Sequence, residues 1–309
     1  MIRGRSAVGL ATALAATCGI AAAAASATDA YGPPAGWPSL ANAALVAQDI
    51  GGSAQIDSQK YVKPDSPDRA EYDRGFDGGK LRGKQLLYTE NDVTVSASTA
   101  AAQTEMIAIP LGLLIAEKQV ANQFGKSLGL KVTYVKSGKA TDLGAGDTAT
   151  GVVIRVGTKA GELRFGLGFV RVEQVISAII LVGAPRANLG LPELKHLAVL
   201  SAAHLHAGLA PQSTAAPTVS GTPAVGQVLT AVTGTWLGTP TTYTYAWERC
   251  DAAGANCAAI PGGTAATYTA SSDDANATLR VTVAAVNAYG AAAPVASAQT
   301  AAVAAPATP

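Results

Sequence analysis

Alternation of apolar and polar positions begins at Gln55, where Ile56, Ser58, Lys60 and Val62 take one side of an extended chain and predict a strand over residues 55–62. Residues 69–76 and 83–90, the latter carrying Leu86, Leu87 and Tyr88, continue as strands, and residues 130–135 read as another. Three long β-rich runs follow, over 149–156, 162–172 and 175–182. The first two are joined by the hairpin loop Gly157-Thr-Lys-Ala-Gly161, and Arg171 and Glu173 flank the next turn. An antiparallel meander is the simplest topology for such closely spaced strands.

Helical segments surround these strands. Residues 39–48 predict a short helix with Ser39 as N-cap and Gly51-Gly52 as its stop. Residues 98–124 have helical composition, but Pro110 lacks the N–H that a helix interior needs, so a kinked helix or two helices is expected. Residues 191–206 present Leu194, Leu197, Ala198, Leu200, Ala203 and Leu205 as an apolar face. The sum predicts an α+β domain, an antiparallel sheet with packed helices.

The pattern changes beyond Gly208-Leu-Ala-Pro-Gln-Ser-Thr-Ala-Ala-Pro217, which reads as an extended linker with a domain boundary near 211. Residues 211–309 carry only six charged side chains, Glu248, Arg249, Asp251, Asp273, Asp274 and Arg280. Their six or seven short strands at regular spacing fit an all-β sandwich. The domains are thus expected at 28–210 and 211–309, the second ending in a short disordered tail.

Ahead of both lies Met1-Ile2-Arg3-Gly4-Arg5, then an uncharged apolar run ending at Ala25-Ser26-Ala27, the form of a signal peptide with a small-x-small cleavage site. Residues 1–27 are therefore expected to be removed, leaving a secreted chain that starts near Thr28. A retained membrane anchor and lipidation at Cys18 are the alternatives. For Cys18, Leu14 stands one position too far upstream and Thr17 is a poor final residue. The stretch from Met106 to Ala116 is too short to span a bilayer. It reads as a core element, or as the lining of a pocket.

Charge bounds the partners. The 309 residues carry 22 Lys+Arg and 21 Asp+Glu, and without Arg3 and Arg5 the balance becomes 20 against 21, so no one-signed field recruits nucleic acid or anionic lipid. At 49% hydrophobic, 14% charged and 5% aromatic, the chain can build aliphatic cores in both halves.

The second half resembles the bacterial Ig-like modules appended to secreted proteins. The resemblance rests on Pro217-Thr-Val-Ser-Gly-Thr-Pro, Gly234-Thr-Trp236, Tyr243-Thr-Tyr-Ala-Trp247, and the run from Ala277 to Asn287. It implies Trp247 as the core tryptophan. Antibody-type domains bridge two core strands with cysteines, whereas Cys250 and Cys257 sit close together around a turn. A disulfide closing that loop is expected; a metal site is the alternative, with two thiols and no nearby His as an incomplete ligand set. The first half, over about 36–207, resembles exported PsbP-like domains, including sensor domains of actinobacterial kinases. That resemblance rests on element order and export, and implies a ligand cleft beside the sheet.

Catalytic chemistry is not written in any local motif. His196 and His204 lie eight apart on the last helix, too far to share a metal, and His206 points away from His204. Gly166-Leu-Gly168 falls within a strand and lacks the third glycine of a dinucleotide fingerprint, and no Walker loop, Gly-x-Ser-x-Gly or His-Glu-x-x-His occurs. Asp65, Asp68, Glu71, Asp73 and Asp77, interleaved with Lys63, Arg69 and Arg74, read as a solvated surface. Asp273-Asp274 reads as a turn rather than a Ca2+ site, and Asn276-Ala-Thr278 as a chance glycosylation acceptor. No catalytic, cofactor or metal residue is assigned.

These features predict a secreted, non-enzymatic binding protein. Its first domain would take a small-molecule or lipid-like ligand, or a cell-surface protein or glycan, and the Ig-like module would present it. Two alternatives stand beside it: a hydrolase of cell-wall or extracellular polymer whose carboxylates converge only in the fold, and a structural adhesion protein.

Overall fold

The computed structural model describes residues 31–62, 69–108, 131–159 and 161–305. The expected export signal, Cys18, the second half of the 98–124 helix, and Lys63, Asp65 and Asp68 lie outside the described residues. Two compact units emerge, the first holding the described residues up to Ala35 and Ser39–Leu209, the second holding Gly36–Pro38 and the chain from Ala210.

The first unit is organised by one antiparallel sheet. Its strands are β1 (Gln55–Val62), β2 (Ala70–Asp77), β3 (Lys80–Leu81), β4 (Lys84–Val95), β5 (Val132–Ser137), β6 (Thr141–Asp142), β7 (Thr148–Thr158), β8 (Gly161–Val172) and β9 (Val175–Gly183). The main order is β1-β2-β4-β9-β8-β7-β5, with β3 on β4 and β6 on β7. Two meanders therefore meet where β4 pairs with β9, from Leu86 opposite Gly183 to Val95 opposite Val175. Directly opposed residues of an antiparallel pair share a face. One face is apolar over β7–β9, where Val152, Ile154, Phe165, Leu167, Phe169, Ile176, Ile180 and Val182 pack with Ala102 and Met106 of the helix over residues 99–108, α1.

The other face takes α2 (Leu191–Leu209), which packs on β7, β8 and β9. Its buried stripe is Leu194, Leu197, Ala198, Ser201, Ala202 and Leu205, so Ser201 and Ala202 stand where Leu200 and Ala203 were expected. Gly151 and Gly168, opposite each other across β7 and β8, make room for this helix: a Cβ on either would come within 3 Å of a Leu194 methyl carbon. That close approach is what Gly168 of the Gly166-Leu-Gly168 segment serves.

The expectation of an α+β domain of the PsbP-like kind is overturned. Strand makes up 48% of the structure and helix 16%. Residues 39–48 show why, forming two 3-10 turns, Leu40–Asn42 and Ala47–Ile50, in place of a helix. Side chains from the sheet take backbone groups of this segment, among them the Leu45 N–H and the Ala41 carbonyl that a helix would have paired with each other. Leu40 N–H donates to the Tyr61 hydroxyl, Leu45 N–H donates to Asn91 Oδ1, and the Arg74 guanidinium donates to the carbonyls of Leu45 and Ala41.

The second unit is all β, with two main sheets facing each other as a sandwich. One holds β11 (Thr218–Ser220), β12 (Val228–Val232) and β16 (Thr267–Thr269); the other holds β14 (Thr242–Cys250), β15 (Ala258–Ala259), β17 (Thr278–Asn287), β18 (Gly290–Ala291) and β19 (Val295–Ala296). Trp247 is fully buried among Leu229, Leu279, Val281 and Val283. Its indole N–H donates to the Ala265 carbonyl at 3.0 Å, and its ring lies 5.6 Å from that of Tyr268. The expected linker is partly strand: β10 (Gln212–Ala215) pairs with β13 (Thr235–Leu237).

Candidate functional site: a buried carboxylate cluster

The face that is apolar over β7–β9 turns acidic over β4 and β2. Register explains this. Lys60, Asp73, Asp92, Ala178 and Phe169 stand in one row across β1, β2, β4, β9 and β8, and Ser58, Gly75, Glu90, Ile180 and Leu167 form the next. Glu71 lies two residues before Asp73 on β2, and Glu90 two before Asp92 on β4, so the strand period places all four carboxylates on one side. Carboxylate oxygens of Glu71, Asp73 and Asp92 come within 4.8 Å of one another.

Burial makes this arrangement unusual. Glu90 is 4% exposed and Asp92 9%. Asp73 Oδ1, Glu90 Oε2, Asp92 Oδ1 and the hydroxyl of buried Tyr88 have no hydrogen-bond partner among the described residues. A buried charge without a partner is costly, and native structures satisfy such groups with protons, ions or ligands. Desolvation pushes the Asp73 carboxyl up to about 6, with Lys60 pulling the other way, and pushes Glu90 up to about 8, reinforced by the charge of Asp73. Asp92 is raised well above the ordinary carboxylate range by its burial and then by Glu90 and Asp73. Burial also raises the Tyr88 phenol, as do Glu90 and Asp92.

Gly75 completes the floor. A Cβ there would sit 2.5 Å from the Tyr88 hydroxyl and 2.7 Å from Ser58 Oγ, so the missing side chain is what admits the phenol. At the edge of the cluster, Glu105 of α1 accepts two hydrogen bonds from Arg69 Nη2, at 3.0 and 3.1 Å, and one from Ser96 Oγ, at 3.1 Å. Chemically, the cluster offers hard oxygen donors and proton-holding groups beside an apolar wall.

The reading of Glu71 and Asp73 as solvated surface is corrected: both are half-buried and turned into the cluster, while Asp77 is exposed. Glu90 and Asp92 were not singled out from sequence. The signal was there, an acidic pair at i, i+2 on each of two strands, but it needed the Asp73–Asp92 register to become a site.

Other candidates resolve differently. His204 Nε2 lies 2.9 Å from Asp49 Oδ2, while His196 lines a separate cleft of about 530 Å3 on the α2 side of the sheet, with Arg82, Lys195, Leu143 and Leu191. Asp273 is exposed, and Asp274 is buried and caps a 3-10 turn at Ser272–Asp274. Cys250 and Cys257 form a disulfide around a loop in which Asp251 accepts hydrogen bonds from Ala253, Ala255 and Asn256. No helix among the described residues is long and apolar enough to cross a membrane. No protein-family model matches the chain, and no curated protein matches its sequence.

Proposed function

We propose that this chain is an exported, non-enzymatic binding protein whose first unit takes a positively charged ligand at the carboxylate cluster of β2 and β4, and whose second unit is an Ig-like module that presents it. One observation carries the reading: the buried oxygens of Asp73, Glu90 and Asp92 lack hydrogen-bond partners among the described residues, and a cation is the class of ligand that satisfies buried carboxylates. Export is supported by the basic start, the apolar run to Ala27 and the Cys250–Cys257 disulfide. The Ig-like assignment is supported by the sandwich and by Trp247 at its centre.

Native mass spectrometry of the chain starting at Thr28 tests it. The native mass exceeds the polypeptide mass, or rises on adding cations or small amines, and the excess is lost in Asp92→Asn. A bare mass with every cationic probe defeats the reading.

A second reading, hydrolysis of a cell-wall or extracellular polymer, has the gathering of carboxyl groups on one face in its favour. Turnover of a polysaccharide or peptidoglycan substrate by the wild type and not by Asp92→Asn would establish it.

A further inference from the structure

We infer that Glu71, Asp73 and Asp92 form a calcium site on the inner face of the first unit, an inference that rests on the cation-binding reading above and narrows it to one ion. Three observations converge. The first is spacing. One oxygen from each of the three carboxylates lies within 4.8 Å of the other two, close enough to converge on one cation, and three carboxylates are more than the one or two through which Mg2+ is usually held.

The second is donor character. Every ligand in the set is a carboxylate oxygen, the hard donor that Ca2+ selects over softer transition metals. Among the described residues no histidine or cysteine belongs to the group.

The third points to something that the described chain does not supply. Asp92 is nine-tenths buried with Oδ1 unpartnered. Glu90, 4% exposed, stands two positions along the same strand face with Oε2 unpartnered, and the buried Tyr88 hydroxyl lies beside it over Gly75. The bound ion takes one oxygen from each of the three carboxylates, with water available for the remaining positions.

Tb3+, which replaces Ca2+ in oxygen sites, tests this when excited through tyrosine in the full mature chain. The expected result is sensitised emission saturating at one ion per chain, displaced by Ca2+, with affinity at least 10-fold weaker in Asp92→Asn and Asp73→Asn and unchanged in Asp77→Asn, at an exposed position. Circular dichroism checks the fold of each variant. If a variant fails to fold, the wild-type stoichiometry and Ca2+ competition decide. Emission unaffected by Asp92→Asn, or absent from the wild type, overturns the calcium site. A parallel titration with spermidine separates the two levels. Binding of spermidine without Tb3+ or Ca2+ removes the calcium site and leaves a cation-binding unit, whereas binding of none of the three removes both.

Discussion

Asp73 on β2 stands directly opposite Asp92 on β4, acid facing acid in a sheet whose next strand, β9, carries half-buried Ala178 and buried Ile180. Opposed like charges weaken a strand pair, and burial amplifies the repulsion. Hydrophobic residues at these two positions would have extended the apolar wall of β8 and β9. The pair is therefore intelligible as a place where stability is given up for a ligand, since local conflicts of this kind mark functional sites.

The stability of Asp92→Asn follows from that opposition. In the presence of a chelator the substitution removes one of two facing acids and raises unfolding stability by about 1 kcal/mol, because replacing buried charge is often neutral or stabilising. Urea denaturation in EDTA measures it. With millimolar Ca2+ the order reverses, since only the wild type gains the stabilisation that a bound ligand confers. A variant less stable than the wild type in both conditions would assign the pair a structural role.

Much of this architecture was legible in the chain. Alternation located β1, although a register shift between Ile56 and Ser58 leaves Ile56 exposed on the other side, and the β-rich runs located β7, β8 and β9 to within a residue or two, while the 3.6-residue period located α2. What escaped were features decided by residues distant in sequence. Residues 39–48 carry a helical pattern, yet Tyr61, Asn91 and Arg74 claim their backbone groups. The Glu71–Asp73 series looks solvated until register sets it against Asp92, and the segment at 212–215 looks like a linker until β13 pairs with it. Register and side-chain capture are tertiary facts, which local pattern cannot carry.

Gly75→Ala probes the floor of the cluster. The added methyl group would meet the Tyr88 hydroxyl and Ser58 Oγ below contact distance. Tyr88 is a buried ring with little freedom to move aside, so the cost is about 1–3 kcal/mol. Thermal unfolding reads the loss. Pairing Gly75→Ala with Tyr88→Phe, which removes the nearest atom, recovers part of it; no recovery would show that the strain arises elsewhere.

Reduction tests the second unit. The Cys250–Cys257 bridge closes a loop with a sequence separation of 7. Its removal costs about 2–3 kcal/mol if constraint of the unfolded chain dominates. Chemical denaturation of Cys250→Ala/Cys257→Ala against the oxidised wild type measures this, followed through the buried Trp247. An unchanged midpoint would mean that the Asp251-centred hydrogen bonds hold the loop without the bridge.

Acid should act on the second unit through Asp274. Its carboxylate is fully buried, which by itself would raise its proton affinity, but Tyr268, the backbone and hydroxyl of Ser271, and Arg249 all donate to it and hold it below the ordinary aspartate value of 3.8. A group whose folded value is depressed contributes stability that is fully present above the unfolded value and is lost as pH falls through the folded one. The Asp274 contribution is therefore constant at neutral pH and disappears below about pH 4. Asp274→Asn removes the charge-assisted partners of Arg249 and Tyr268, and it should cost about 2–3 kcal/mol at pH 7. Denaturation midpoints followed through Trp247 from pH 7 to pH 3 should converge for wild type and variant as the pH falls, because protonation removes from the wild type what the substitution has already removed. Parallel curves across that range would show that the Asp274 carboxylate carries no pH-linked stability.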